Sequence, residues 1–172
     1  TDIAQSGSYV TVSIGGDSII VVRDGDQPRA FHNVCCHRGA EITAGVGTKK
    51  EFQCPYHAWV YGLDGRLIRV PGVKKWPAGL GLRPLRVETW GPFVFVCSDM
   101  NVAPLADFFG GLFEFFESKV DLAEIVTTGC VKEFTFEIEA NWKIVVENSL
   151  ECYHCSFAHP GLASSIDLRR YK

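Results

Sequence analysis

Four of the five histidines of this chain stand close to cysteines or to a glutamate, at spacings typical of metal ligands. Cys35-Cys36-His37 and Cys54-Pro55-Tyr56-His57 form a C-x-H knuckle followed by a C-x-x-H knuckle. Two thiolates and two imidazoles suit a tetrahedral zinc ion. They equally suit a [2Fe–2S] centre of the Rieske type, in which one iron takes both cysteines and the other both histidines. Structural zinc sites usually open with paired cysteines and close with paired histidines, whereas each knuckle here supplies one of each. The spacing therefore favours the cluster, with zinc as the alternative. Further along, Glu151, His154 and His159 offer two imidazoles and a nearby carboxylate. This looks like two of the three ligands in the 2-His-1-carboxylate set that leaves iron(II) open to O₂. The two constellations together imply an oxygenase that carries its own electron relay.

The elements that must position these groups follow from the flanking sequence. Residues 8–97 read as many short strands: Ser8–Ile14 and Ser18–Arg23 flank Gly15-Gly16-Asp17, and Asp24-Gly25-Asp26-Gln27-Pro28 makes the next turn. Ala58–Tyr61 and Arg66–Val70 flank Gly62-Leu63-Asp64-Gly65, and Phe93–Cys97 reads as a buried strand. Both knuckles then lie where strands meet loops, the usual place for ligands on a rigid scaffold. Beyond Asp99 the pattern changes to an apolar helix over Leu105–Val120 packed into a core, a strand over Val131–Glu139, and a helix over Ala140–Ala158. On an unbroken helix His154 and His159 would point about 140° apart. His159 precedes Pro160, however, and a residue before proline is pushed out of helical geometry. The helix should end near Ala158 and let His159 swing back toward His154, with Glu151 one turn earlier on the same face. His32 reads as a structural residue, and Cys97, Cys130, Cys152 and Cys155 as packing thiols.

Composition narrows the function classes. A chain of 172 residues with 47% hydrophobic and 22% charged residues is ordinary for a globular protein. A net charge of −3 gives no field to gather nucleic acid or anionic lipid. No apolar run approaches the roughly 18 residues of a membrane span, and residues 1–30 lack a signal-peptide profile; a cytoplasmic location is expected. Seven cysteines, partly paired with histidine, argue against a disulfide framework. The single methionine is Met100 and the terminal residues do not read as a domain end, so a piece of a longer protein is expected.

Asn33-Val34-Cys35-Cys36-His37-Arg38-Gly39-Ala40 and Cys54-Pro55-Tyr56-His57-Ala58-Trp59-Val60-Tyr61-Gly62-Leu63-Asp64-Gly65 resemble the two cluster-binding loops of Rieske non-haem iron oxygenase α subunits, the aromatic-ring-hydroxylating dioxygenase superfamily. Asn141–Cys155 resembles that family's iron-site helix. The resemblance implies an α+β fold: an N-terminal antiparallel β Rieske [2Fe–2S] domain over residues 1–100, then the start of a truncated α+β mononuclear-iron catalytic domain over 101–172. It implies Cys35 and Cys54 on the inner iron and His37 and His57 on the outer one. His154 and His159 would ligate mononuclear iron(II), whose third, carboxylate ligand is absent from this sequence; Asp167 stands in an unmatched context. Glu151 takes the place of the family's bridging aspartate, which accepts a hydrogen bond from the iron-ligating histidine and, across a trimer interface, from a neighbour's cluster histidine. Glutamate there resembles the branch oxidising choline, glycine betaine, carnitine or stachydrine. Cys36 departs from the family pattern and is expected to be a packed or partly exposed free thiol. The extra disulfide-forming cysteines of respiratory Rieske proteins are missing, so the low-potential type is favoured.

The implied activity is that of a terminal oxygenase component in a homotrimer. A separate flavin or iron–sulfur reductase fed by NAD(P)H reduces the cluster, and O₂ is the co-substrate for C–H hydroxylation, with N-demethylation where a methyl group is attacked, of a small quaternary ammonium molecule. Two alternatives stay open: oxygenation of an aromatic ring, and a Rieske electron carrier without catalysis. Arg38, Lys49, Lys50, Lys74 and Lys75 form a candidate basic rim for the reductase.

Overall fold

The computed structural model describes residues 3–127, 135–151 and 153–165, and the chain divides into two units, Thr1–Gly129 and Cys130–Lys172. The first unit is an antiparallel β structure. β1 (Ser8–Ile14), β2 (Asp17–Asp24) and β3 (Gln27–His32) form a meander. β4 (Val46–Thr48) joins the free side of β1, while β8 (Pro84–Trp90) and β9 (Phe93–Cys97) extend the other side, giving the order β4-β1-β2-β3-β8-β9. A second sheet contains β5 (Phe52–Gln53), β6 (Val60–Tyr61) and β7 (Leu67–Arg69). The tight turn at Gly15-Gly16 fixes the β1–β2 register, pairing Tyr9 with Val22 and Ile14 with Asp17.

The central strand β2 carries Ile19-Ile20-Val21-Val22, an uninterrupted apolar run, because both of its faces are covered. Ile20 and Val22 join Tyr9, Phe31, Phe52, Tyr61 and Leu67 in a core shared with the small sheet. Ile19 and Val21 point the other way, onto Ile3, Ala30 and Leu85. Burying each of the valine, leucine, isoleucine and phenylalanine side chains is worth about 1.5–3 kcal/mol. Cys35 and Cys54 belong to the first cluster, so the thiols are seated in the core while the loops that carry them emerge from it.

Several expected elements differ. Phe93–Cys97 is a strand, but it is only half-buried, and Phe93 is exposed, because β9 is the edge of its sheet. The single helix expected over Leu105–Val120 is two short helices, α1 (Leu105–Phe109) and α2 (Leu112–Glu117). Gly110 breaks it at φ 54°, ψ −136°, a conformation outside the helical region and open to glycine. Neither helix contains a fully buried residue. They are anchored instead by one aromatic seam: Trp90 stacks on Phe113 at 4.4 Å, and Phe109 touches both Phe95 and Phe113. The Trp90 indole N–H donates to Glu117 at 2.9 Å. The Glu88 carboxylate accepts the backbone N–H of Leu105 at 3.2 Å, fixing where α1 begins. A third helix, α3 (Leu122–Thr127), follows.

The second unit holds α4 (Trp142–Leu150), α5 (Cys155–Ala158) and α6 (Pro160–Ser165). Asn141 caps α4, its side chain accepting the Lys143 N–H at 3.0 Å. The expected strand Val131–Glu139 lies outside the described residues over 131–134, and 135–139 are not a strand. A strand is stabilised by a hydrogen-bonded neighbour, and the described strands all belong to the first unit. The helix expected over Ala140–Ala158 is likewise interrupted. Ser149 returns its hydroxyl to the Val145 carbonyl at 2.8 Å, in competition with the helical ladder. Two residues later Glu151 is extended, at ψ 133°. Cys130, Cys152 and Asp167 lie outside the described residues, and among those described no helix is long and apolar enough to cross a membrane.

Candidate metal centres

The two knuckles are built on the same backbone device. In the first, the Cys35 N–H donates to Ala40 O at 2.9 Å and the Gly39 N–H to Cys35 O at 2.9 Å. In the second, Cys54 N–H donates to Trp59 O at 2.8 Å and Ala58 N–H to Cys54 O at 3.0 Å. Each loop is thus a closed ring of six residues whose fifth lies at positive φ, +74° at Gly39 and +55° at Ala58. Among the described residues Ala58 is the only non-glycine with such a backbone. A β-carbon in the left-handed region costs about 1–2 kcal/mol, so the loop geometry is held against a local penalty. Matching loops display one thiol and one imidazole each.

The donors sort by depth. Cys35 and Cys54 are 3% and 1% exposed, whereas His37 and His57 face outward. The two imidazole rings meet edge to face with centroids 4.7 Å apart. His37 is also stacked flat on Trp59, at 4.5 Å and 7°. Tyr56 lies over His57 at 3.8 Å. Among the described residues, no three His, Cys, Asp or Glu side chains close around a single point as ligands of one ion. The set is a buried sulfur pair below an exposed imidazole pair.

Electrostatics prepare both kinds of donor. Burial pushes the Cys35 thiol up, but hydrogen bonds from the Tyr61 hydroxyl, the His37 and Arg38 backbone N–H groups and Cys54 outweigh it and hold Cys35 below the ordinary thiol value. Loss of hydration, with the nearby charges of His57 and Arg38, holds His37 below the ordinary imidazole value. A thiolate and a neutral imidazole are the forms that bind metal. Tyr61 is fully buried, and its hydroxyl lies 3.0 Å from Cys35 Sγ and 3.4 Å from Cys36 Sγ. Burial first, and then these sulfur contacts, raise its pKa above the phenol value.

Beneath the first knuckle lies a residue whose part the sequence pattern did not reveal. Asn33 is 1% exposed and spends its whole amide on neighbours. Nδ2 donates to Ser18 Oγ at 3.0 Å and to Thr43 O at 2.7 Å, while Oδ1 accepts from Ile42 N at 3.0 Å and Thr43 N at 3.2 Å. It ties the entry of the loop to its exit. Trp59 and Tyr61 were also silent as functional residues; their one signal is that they follow the second knuckle at alternate positions of an inward-facing segment. His32 is half-buried, with Nδ1 4.0 Å from Asp17 Oδ2, in keeping with a structural place in β3. Lys49 is not a free docking charge: it donates to Thr43 Oγ1 at 2.9 Å and lies over the Tyr9 ring. Cys155 is buried and Cys97 half-buried.

In the second unit the break after α4 brings Glu151, His154 and His159 together, in place of one continuous helical face. His154 is the N-cap of α5 and His159 its C-cap, so the pre-proline end expected at Ala158 is present. The rings stand 5.4 Å apart between centroids, and His154 Nδ1 is 3.4 Å from Glu151 Oε1. Glu151 thus approaches the ring nitrogen of His154 from beside the histidine pair.

Two family models match separate parts of the chain. Residues 1–91 match the Rieske [2Fe-2S] domain, and residues 127–172 match the catalytic domain of the ring hydroxylating alpha subunit. The chain is 40% identical over 179 aligned residues to the carnitine monooxygenase oxygenase subunit of Escherichia coli (strain K12), covering 99% of this chain and 47% of that protein. It is 40% identical over 172 residues to the glycine betaine monooxygenase oxygenase subunit of Chromohalobacter salexigens, covering 96% and 37%. Among solved structures, it is similar to a quaternary ammonium Rieske monooxygenase described for carnitine oxidation and inter-subunit electron transfer. That match has a TM-score of 0.86 and 37% identity, and covers 94% of this chain and 46% of the other. The chain therefore spans less than half the length of these relatives.

Proposed function

Since the chain belongs to the Rieske oxygenase α subunits, we propose that it is the cluster-bearing portion, with the first iron ligands, of a terminal oxygenase acting on a small quaternary ammonium substrate. The observation that carries this reading is the paired knuckle: two buried thiols and two exposed, touching imidazoles on loops of identical closure. Residues 1–100 form the Rieske domain and 101–172 the beginning of the catalytic domain. Cys35 and Cys54 hold the inner iron and His37 and His57 the outer one. His154 and His159 hold the mononuclear iron, whose third ligand belongs to a further part of the protein.

When bound, the cluster supplies one-electron relay and the mononuclear iron supplies O₂ activation. The chain's own groups do the rest. Tyr61 keeps its proton and donates it toward the Cys35 sulfur. Trp59 fixes the plane of His37, and Asn33 locks the first loop to residues 42–43. The exposed imidazole edges are the surface at which electrons from an NAD(P)H-fed reductase enter. Glu151 accepts the His154 ring N–H and so orients the nitrogen left to bind iron. In a homotrimer the same carboxylate reaches the His57 ring of a neighbour, and the relatives' inter-subunit electron transfer supports that arrangement. Free cluster thiols suit a reducing cytoplasm.

The substrate class rests on the relatives' carnitine and glycine betaine activities and on glutamate at position 151. The test is turnover by the full-length enzyme with an NAD(P)H-driven reductase. Hydroxylation beside nitrogen, or loss of a methyl group as aldehyde, is expected with carnitine, glycine betaine or choline. Oxygenation of arenes with no quaternary ammonium turnover would overturn the substrate class. No oxygenation of any substrate, with the cluster as the only iron present, would reduce the protein to an electron carrier.

A further inference from the structure

Cys36 is the thiol of the two knuckles that the metal chemistry does not use. It sits between two proposed ligands, is exposed, and places Sγ 3.4 Å from the Tyr61 hydroxyl, which is itself 3.0 Å from Cys35 Sγ. Three polar atoms therefore share two hydrogens once Cys35 has given up its own to become a metal-bound thiolate. Tyr61 has one hydrogen, and the closer, charged sulfur is the better acceptor. The lone pairs of the tyrosine oxygen then remain for a donor, and the S–H of Cys36 is within reach of them.

We propose that Cys36 is a positioning residue for the cluster: its S–H donates to Tyr61 Oη, and the Tyr61 O–H donates to Cys35 Sγ. The inference rests on Cys35 being a cluster ligand, as set out above. A donor to the tyrosine oxygen polarises its O–H and strengthens the next bond in the chain. Hydrogen bonds to ligand sulfurs favour the reduced, more negative cluster and raise its potential. Cys36 thus lifts the potential without touching the metal, and it does so only through Tyr61. The opposite sharing, in which Cys36 accepts part of the Tyr61 hydrogen, makes the opposite statement, that Cys36 lowers the potential.

The experiment is redox titration of the cluster in the full-length holoprotein, followed by visible absorption and electron paramagnetic resonance. Cys36→Ala is expected to shift the potential downward by less than Tyr61→Phe does. Cys36→Ser, which keeps a donor of similar size, should leave the potential at or above the parent value. In the Tyr61→Phe background, Cys36→Ala should add no further shift. An upward shift or no shift in Cys36→Ala would overturn the proposal, as would a downward shift that persists in the absence of the Tyr61 hydroxyl. If Cys36→Ala fails to load, Cys36→Val gives the same comparison. Should the parent protein itself lack a Rieske spectrum, the ligand assignment fails instead, a result separate from every outcome at Cys36.

Discussion

Removing the Asn33 amide should damage the first knuckle more than any other single polar change in the domain. In Asn33→Ala four hydrogen bonds disappear together. Ser18 and Thr43 are half-exposed and can turn to water, at about half a kcal/mol each, whereas Ile42 is buried and its N–H loses its partner outright. One orphaned buried donor costs about 1–3 kcal/mol, so the total comes to about 3 kcal/mol once the small cavity is included. Urea unfolding of the parent and the variant should show a lower midpoint with an unchanged slope. Cluster content, read from iron and acid-labile sulfide, should fall with it, because Asn33 joins the two ends of the loop that presents Cys35 and His37. Asn33→Asp should keep the contacts to the Ile42 and Thr43 N–H groups yet still lose stability, through two missing donors and a buried charge. A cost below about 1 kcal/mol in Asn33→Ala, with full cluster loading, would refute the idea that this amide is the brace of the loop.

Three other outcomes follow from the geometry. Ala58→Gly relieves the left-handed backbone at Ala58 and should stabilise the protein by about 0.5–1 kcal/mol in thermal unfolding without altering the cluster spectrum. Glu88 is held below the ordinary carboxylate value by the Arg86 side chain and then by the Leu105 N–H. Its stabilisation is therefore present above the ordinary carboxylate range and lost as pH falls through the lowered value. Glu88→Gln should be less stable than the parent at neutral pH, with the difference closing in acid, as followed by unfolding at a series of pH values. Glu151→Gln in the full-length enzyme should slow electron transfer from the reduced cluster in single-turnover measurements by more than tenfold, while leaving the Rieske spectrum and the iron content intact; an unchanged rate would remove the bridging role.

The strands and the knuckles were legible because their signals are local. Gly15-Gly16 ends β1 where expected, and C-x-H with C-x-x-H names its donors without reference to the rest of the chain. The end of α5 at Ala158 followed from Pro160 alone. What could not be read depends on neighbours distant in sequence. Asn33 matters because residues 18, 42 and 43 come to it, and Tyr61 because its hydroxyl lands between two sulfurs. The run of phenylalanines after Leu105 looked like one core helix, since apolar periodicity outweighed Gly110-Gly111; the backbone at Gly110 decided otherwise. Val131–Glu139 has the alternation of a strand, yet its described part, residues 135–139, is not in strand conformation. In the segment proposed to bind iron the grouping of Glu151, His154 and His159 was readable, whereas the break that produces it was hidden in an ordinary-looking helix.

The most direct test of the central claim is metal and sulfide analysis of the purified protein, combined with nitrogen-resolved paramagnetic resonance of the reduced state. Two irons and two acid-labile sulfides per Rieske domain are expected, with coupling to two histidine nitrogens that is lost when His37 or His57 is replaced. A colourless protein holding one zinc ion on Cys35, His37, Cys54 and His57, without sulfide, would contradict it.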